Sequence, residues 1–191
     1  MMRLSPALLL ILLSGCASLI ERDERAQKQR HYHLPWAAGE SYRCIQAGPG
    51  SFSHEGRDEF AVDFAMPEGT PLLAARDGVA TAVREDSNQG GATREFAAHV
   101  NLVHIVHRDG TRAVYLHLRQ NGARVKSGDR VRQGEVIGFS GSTGWSTTPH
   151  LHFAVERRDP KTGKWRSIPF AFIEVPGSGV PRLLGKYRSR S

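Results

Sequence analysis

From Ser41 onward the chain alternates short apolar runs with turn-forming residues. Val79 to Val83 and Val100 to Val106 are rich in β-branched residues, and Arg112 to Leu118, Glu135 to Phe139 and Leu151 to Val155 repeat the pattern. Asp109-Gly110, Asn121-Gly122 and Ser127-Gly128-Asp129 punctuate these runs with turn signals. Runs of this length and composition read as strands, and no long segment carries a helical period. The pattern predicts a mainly β domain over residues 41–174, built on an antiparallel sheet with few short helices.

A faint internal echo refines that expectation. Gly69-Thr70-Pro71-Leu72-Leu73 leads to Asp77-Gly78-Val79, and Ser127-Gly128-Asp129-Arg130-Val131 leads to Gly134-Glu135-Val136-Ile137-Gly138. Both halves read as strand, glycine turn, strand. The repeat resembles the biotinyl/lipoyl hybrid barrels, which implies an open barrel-sandwich hybrid. No lysine sits at a hairpin tip as in those carriers. A carrier or glycan-binding barrel would also leave the histidines described below unexplained.

The two ends of the chain read differently. Arg3 precedes the apolar run Leu8 to Leu13, and small residues Ser14 and Gly15 lead to Cys16. The run is too short for a membrane span, which needs ~20 residues, and it fits an export leader over residues 1–15. Leu13-Ser14-Gly15-Cys16 resembles the bacterial lipobox, which implies cleavage before Cys16 and lipidation of its thiol. Ala17 rather than Asp follows Cys16, as in lipoproteins sent to the outer membrane of didermal bacteria, so the protein is expected to face the periplasm. Residues 16–40 then form a lipidated, flexible tether, in which His31 and His33 are solvated, and residues 175–191 a basic, disordered tail.

Composition narrows the partners. The net charge of +7 suits anionic polymers or lipid, while no basic, aromatic-rich stripe points to nucleic acid. The chain has two cysteines, Cys16 and Cys44, so no disulfide framework exists. Cys44 reads as a small buried hydrophobe. A sharper reading makes its thiolate a cap on a metal site.

Four of the nine histidines sit where chemistry is expected. His150-Leu151-His152 precedes Phe153-Ala154-Val155, a strand pattern in which residues two apart face one side. The glycine-rich stretch Gly141 to Pro149 before it can line a cleft. His117 lies in a predicted strand among apolar neighbours. His54 precedes Asp63, an acid flanked by Val62 and Phe64 that burial would penalise unless it were paired or bound to metal. Zinc takes histidine nitrogen and carboxylate oxygen, and a catalytic site keeps three protein ligands and an open position. His99, His104 and His107 read as core-edge or surface residues rather than ligands, and no HExxH is present.

Three blocks together resemble the lysostaphin/LytM-type zinc endopeptidases of the bacterial wall. They are His54 to Asp63 with Ala65 to Pro71, Tyr115-Leu116-His117-Leu118, and Ser140 to Phe153. The likeness spans roughly residues 42–156. It implies one zinc ion per chain held by His54, Asp63 and His152, with His117 and His150 as the catalytic pair. It also implies peptidoglycan peptide cross-bridges as substrate, and for this compartment meso-diaminopimelate-type links. Many members place the first histidine four residues before the aspartate, a spacing that Asp58 would satisfy. Asp63 is preferred because Ala65 to Pro71 follows it directly. The alternative function is a degenerate lipoprotein that activates other wall hydrolases. Such relatives lack part of the set that is complete here.

Overall fold

The computed structural model describes residues 31–48 and 54–191. The leader, Cys16 and the side chain of His31 lie outside the described residues. The strands are β1 (His31–Tyr32), β2 (Ser41–Ala47), β3 (Val62–Ala65), β4 (Pro71–Leu73), β5 (Gly78–Arg84), β6 (Gly90–Gly91), β7 (Leu102–Val106) and β8 (Arg112–Leu116). They continue as β9 (Leu118–Ala123), β10 (Arg130–Val131), β11 (Val136–Ser140), β12 (Gly144–Trp145), β13 (His150–Arg158), β14 (Trp165–Ser167), β15 (Ala171–Phe172) and β16 (Lys186–Arg188). The helical content among the described residues is two 3₁₀ segments, Gly56–Asp58 and Arg94–His99.

One large sheet runs in the order β10-β5-β7-β8-β13-β3-β2-β16, with β14 added to the far half of β13. Its pairings are antiparallel and its ends stay open, so no barrel closes among the described residues. A smaller sheet orders β4-β11-β9. The internal echo has a structural counterpart. β4 from the first half pairs with β11 from the second, and β10 from the second pairs with β5 from the first. Each half thus supplies the partner the other lacks.

Period-two alternation divides the large sheet into two faces. Cys44, Phe64, Tyr115, Leu151, Phe153 and Val155 point into the main core. The opposite face carries Asp63, His150, His152 and Glu156, beside a small apolar cluster of Ala61, Val114 and Ala154. These polar side chains therefore stand on strands whose reverse is packed with aromatic rings, a rigid platform.

Three expectations need correction. Tyr32, Leu34 and Trp36, assigned to the tether, are buried, and Tyr32–Ser191 form one compact unit. Trp36 stacks edge-on against Phe64 at 4.8 Å and Tyr42 at 5.3 Å, and an aromatic set of this size orders a segment that charge density alone would leave solvated. Within the same stretch, His33 is half-buried and its Nδ1 sits 2.8 Å from Glu174 Oε1. At the other end the basic tail is ordered. Val175 is buried and β16 pairs with β2, because the edge of β2 offers unpaired backbone groups. Lastly, Asn121-Gly122 does not end a strand. β9 runs through it, with Asn121 at φ 53 and its N–H donating to Glu85 O.

Of the remaining histidines, His104 and His107 are buried, while His99 is half-buried in the second 3₁₀ segment. His107 Nδ1 donates to Asp77 O at 2.7 Å. Burial, reinforced by Arg112 and Arg57, pushes the His104 pKa down to about 3.

Two outcomes follow. Trp36→Ala should destabilise the domain by about 3–5 kcal/mol, measured as a lowered urea midpoint, with metal content unchanged in the folded fraction. An unfolded His104 titrates near the ordinary 6.5, so between that value and about 3 the unfolded chain binds more protons. Stability from this group is therefore full above 6.5 and falls as pH drops through the window, by up to ~1.4 kcal/mol per unit. Urea midpoints of the metal-free protein across that range should lose part of their pH slope in His104→Gln, and a slope equal to the parent's would refute the assignment.

Candidate metal centre

β3 and β13 are adjacent, and their register sets His152 directly opposite Asp63 and His150 opposite Ala65. Asp63 Oδ1 lies 2.9 Å from His152 Nδ1 and 3.2 Å from His54 Nε2. The His54 and His152 rings meet edge-on with centroids 5.1 Å apart. One donor atom from each of His54, Asp63 and His152 lies within 4.8 Å of the others, and all three residues are buried. His150 Nε2 approaches the second carboxylate oxygen, Oδ2, at 3.8 Å.

This donor set fits a small divalent ion. Ligand atoms placed tetrahedrally at 2.0–2.1 Å from zinc stand about 3.3 Å from one another, close to the two separations measured to Asp63 Oδ1. The rings are not otherwise satisfied as a buried network would require. Among the described residues, His54 Nδ1 and His152 Nε2 are buried without a hydrogen-bond partner, so the polar contacts of both rings found there converge on the carboxylate. Burial alone would raise the Asp63 pKa, but the charge and hydrogen bonds of His152 and His54 hold it well below the usual carboxylate range. Burial acts to lower the His152 pKa, and the Asp63 carboxylate outweighs it and raises it.

His117 and His150 form a second pair beside the first, with ring centroids 4.4 Å apart; His117 stands 6.0 Å from His152. Both are fixed by the same device. His117 Nδ1 donates to Thr143 O at 2.7 Å, and His150 Nδ1 donates to Thr148 O at 2.7 Å. A carbonyl only accepts, so each neutral ring carries its proton on Nδ1 and keeps a lone pair on Nε2. Burial, with His150 and His152 nearby, pushes the His117 pKa down to about 3. His117 is thus a neutral imidazole at neutral pH.

His117 is not within a strand, contrary to its expected place. It sits at φ 67 in the break between β8 and β9, a conformation that costs a non-glycine residue roughly 1–3 kcal/mol and persists only when its surroundings impose it. Asn101 supplies part of that constraint. It is fully buried, and its N–H donates to Thr143 Oγ1 at 3.0 Å, while its Nδ2 donates to Ser87 O at 2.8 Å and Leu118 O at 3.3 Å. Thr143 Oγ1 in turn donates to Leu118 O at 2.7 Å. The residue after His117 and the carbonyl that orients its ring are therefore locked together. Gly144 follows at φ 80, where a Cβ would also strike Val100 at 2.7 Å, so only glycine lets this loop pass.

Asp58, the other candidate acid, is absent from the group of three. Its backbone is tied into the first 3₁₀ turn, its N–H donating to Glu55 O. Cys44 is also absent from that group. It is opposite Phe64 rather than Asp63, its side chain belongs to the main core, and burial pushes its thiol up to about 11. A thiolate cap on the metal is therefore not what this fold builds. Sequence reasoning did not find Asn101, Thr143 or Thr148, because two of them act through backbone carbonyls and the third through a network that only tertiary contact assembles.

Comparison with known proteins identifies the family. The sequence profile of Peptidase family M23 matches residues 57–164, beginning just after His54. The glycyl-glycine endopeptidase ALE-1 of Staphylococcus capitis is 41% identical over 133 residues, covering 69% of this chain and 33% of that protein. The peptidoglycan DD-endopeptidase ShyA of Vibrio cholerae is 36% identical over 125 residues, covering 65% of this chain and 26% of ShyA. The chain thus spans about a third or less of these relatives' lengths. Among solved structures, lysostaphin from Staphylococcus simulans superposes with a TM-score of 0.50 at 30% identity, over 71% of this chain and 51% of lysostaphin. A variant catalytic domain of the prophage-encoded M23 protein EnpA from Enterococcus faecalis gives a TM-score of 0.51 at 27% identity, over 70% of this chain and 93% of that domain. With the profile covering more than half its length, the chain belongs to peptidase family M23.

Proposed function

We propose that this protein is a zinc metalloendopeptidase that hydrolyses peptide cross-links of peptidoglycan and is held to a membrane by a lipid on Cys16. The observation that carries the catalytic reading is the convergence of two imidazoles and one carboxylate beside two further imidazoles whose Nδ1 atoms are each tied to a backbone carbonyl. His54, Asp63 and His152 would hold the ion. Zinc in such a site polarises a carbonyl and lowers the pKa of its water to ~7.

The protein groups around that chemistry have definable tasks. His117 and His150 present lone pairs on Nε2, the form that accepts a proton from an attacking water. Once protonated, the same nitrogen becomes a donor and stabilises negative charge developing on the scissile carbonyl oxygen. Thr143 O and Thr148 O hold both rings in orientation throughout, because neither Nδ1–H leaves its carbonyl.

The substrate assignment draws on the relatives. ALE-1 is named for glycyl-glycine links and ShyA for DD links of peptidoglycan. The lipobox-like Leu13-Ser14-Gly15-Cys16 supports a periplasm-facing lipoprotein of the outer membrane, where diaminopimelate-type cross-links are the substrate at hand.

Purified protein should shorten cross-linked muropeptides from sacculi, read by mass spectrometry, and chelator should abolish this. His150→Ala and His117→Ala should each lower kcat by about 10²–10⁴ while keeping one zinc per chain, whereas His152→Ala should lose the metal. Zinc-loaded protein that is inert on sacculi of every cross-link type, yet stimulates another wall hydrolase, would replace this reading with that of an activator. For the anchor, Cys16→Ala should move the protein from the membrane fraction to the soluble periplasm. A variant that stays in the membrane fraction would sink the lipid assignment.

A further inference from the structure

The three proposed ligands are not held equally. Asp63 and His152 face each other across paired strands, so the sheet ladder fixes them. His54 belongs to no strand. It precedes the 3₁₀ turn Gly56–Asp58 and lies nine positions before Asp63. Something other than backbone pairing must hold that segment against the sheet.

The segment is internally stiff. Asp58 N–H donates to Glu55 O and Ala61 N–H to Asp58 O. Ala61 packs with Val114 and Ala154 on the sheet face that carries the site, and Phe60 N–H donates to Ser167 Oγ at 3.0 Å. Between these contacts and His54 lies Arg57, whose Nε donates to Glu156 Oε1 at 3.1 Å. Asp58 Oδ1 is a weaker partner for the same nitrogen, at 4.0 Å.

Glu156 is built as a fixed hook. It lies four residues after His152 on β13, on the same face, and is fully buried. Arg112, directly opposite on β8, takes its other oxygen, Oε2, and lies 4.1 Å over the ring of Trp165. The carboxylate is therefore oriented from one side by Arg112, and the oxygen left over meets Arg57. The strand that carries one proposed ligand thus also carries the anchor for the turn that carries another.

We infer that the Arg57–Glu156 ion pair is a positioning element of the metal centre, holding His54 in place opposite Asp63 and His152. This rests on the reading of those three residues as metal ligands. Arg57 acts through His54 and touches no reacting atom. Its side chain is 58% exposed whereas that of Glu156 is 1% exposed. Removing Arg57 therefore leaves Glu156 still paired with Arg112, and the fold keeps its buried charge neutralised.

The test compares zinc affinity, by competition with a chromogenic chelator, against melting of the metal-free protein. Arg57→Met should weaken zinc binding by about 10-fold or more, the usual effect of losing an outer partner of a ligand. The metal-free melting temperature should move little, as for other exposed side chains. Arg57→Lys should recover part of the affinity, since it keeps the charge and loses the planar fork. Wild-type affinity in Arg57→Met overturns the inference. If Arg57→Met fails to fold, Arg57→Lys decides alone, and wild-type affinity there overturns it. His152→Ala is the control for the underlying reading: undiminished zinc binding in that variant means the metal-centre reading itself has failed, while zinc lost there and kept in Arg57→Met rejects only the clamp.

Discussion

A carboxylate shut away from water is tolerated only among hydrogen-bond donors and positive charge. Asp63 is such a group, at 5% exposure, and the surrounding architecture answers to it. One of its oxygens faces His54 and His152, and the other looks toward His150. Its neighbours Val62 and Phe64 face the opposite way into packed hydrophobic surface, so the acid cannot turn outward without pulling a phenyl ring out of the core. The alternation of a strand thereby holds a charged group in a place it would otherwise leave, and a divalent cation is the natural complement of what results.

The second pair of imidazoles is arranged with similar economy of means. His117 and His150 come from different parts of the chain, yet each is tied through Nδ1 to a carbonyl of the same loop, Thr143 and Thr148. The loop thus sets two tautomers at once. The cost is visible at His117, which occupies a backbone conformation that glycine would favour. Asn101 and Thr143 surround that strained residue with satisfied hydrogen bonds. Strain of this kind persists only where a rigid network opposes it.

Stiffness on the reverse of the sheet completes the picture. Tyr115 and Phe153 stack edge-on at 5.2 Å beneath β8, which leads into His117, and β13, which bears His152, and the Trp36 segment packs against Phe64 beneath Asp63. The membership of the chain in family M23 and its likeness to lysostaphin are consistent with a domain whose core serves chiefly to hold one face still.

Much of this was legible in the chain itself. Period-two alternation in His150-Leu151-His152 and around Asp63 determines which side chains share a face, because a strand leaves only two sides. The glycine turns and β-branched runs determine a mainly antiparallel β domain, and the echo between residues 69–79 and 127–138 anticipates the exchanged pairing of β4 with β11 and β5 with β10. Spacing could not choose between Asp58 and Asp63; the choice needed the β3–β13 register, a contact between residues almost ninety positions apart. Nor could composition show that Tyr32, Leu34 and Trp36 are core, since a charged segment orders only when the rest of the fold offers an apolar surface to meet it. The tautomers of His117 and His150, the αL bend at His117 and the Arg57–Glu156 pair belong to the tertiary structure alone, because each depends on groups, several of them main-chain carbonyls, whose position no local pattern encodes.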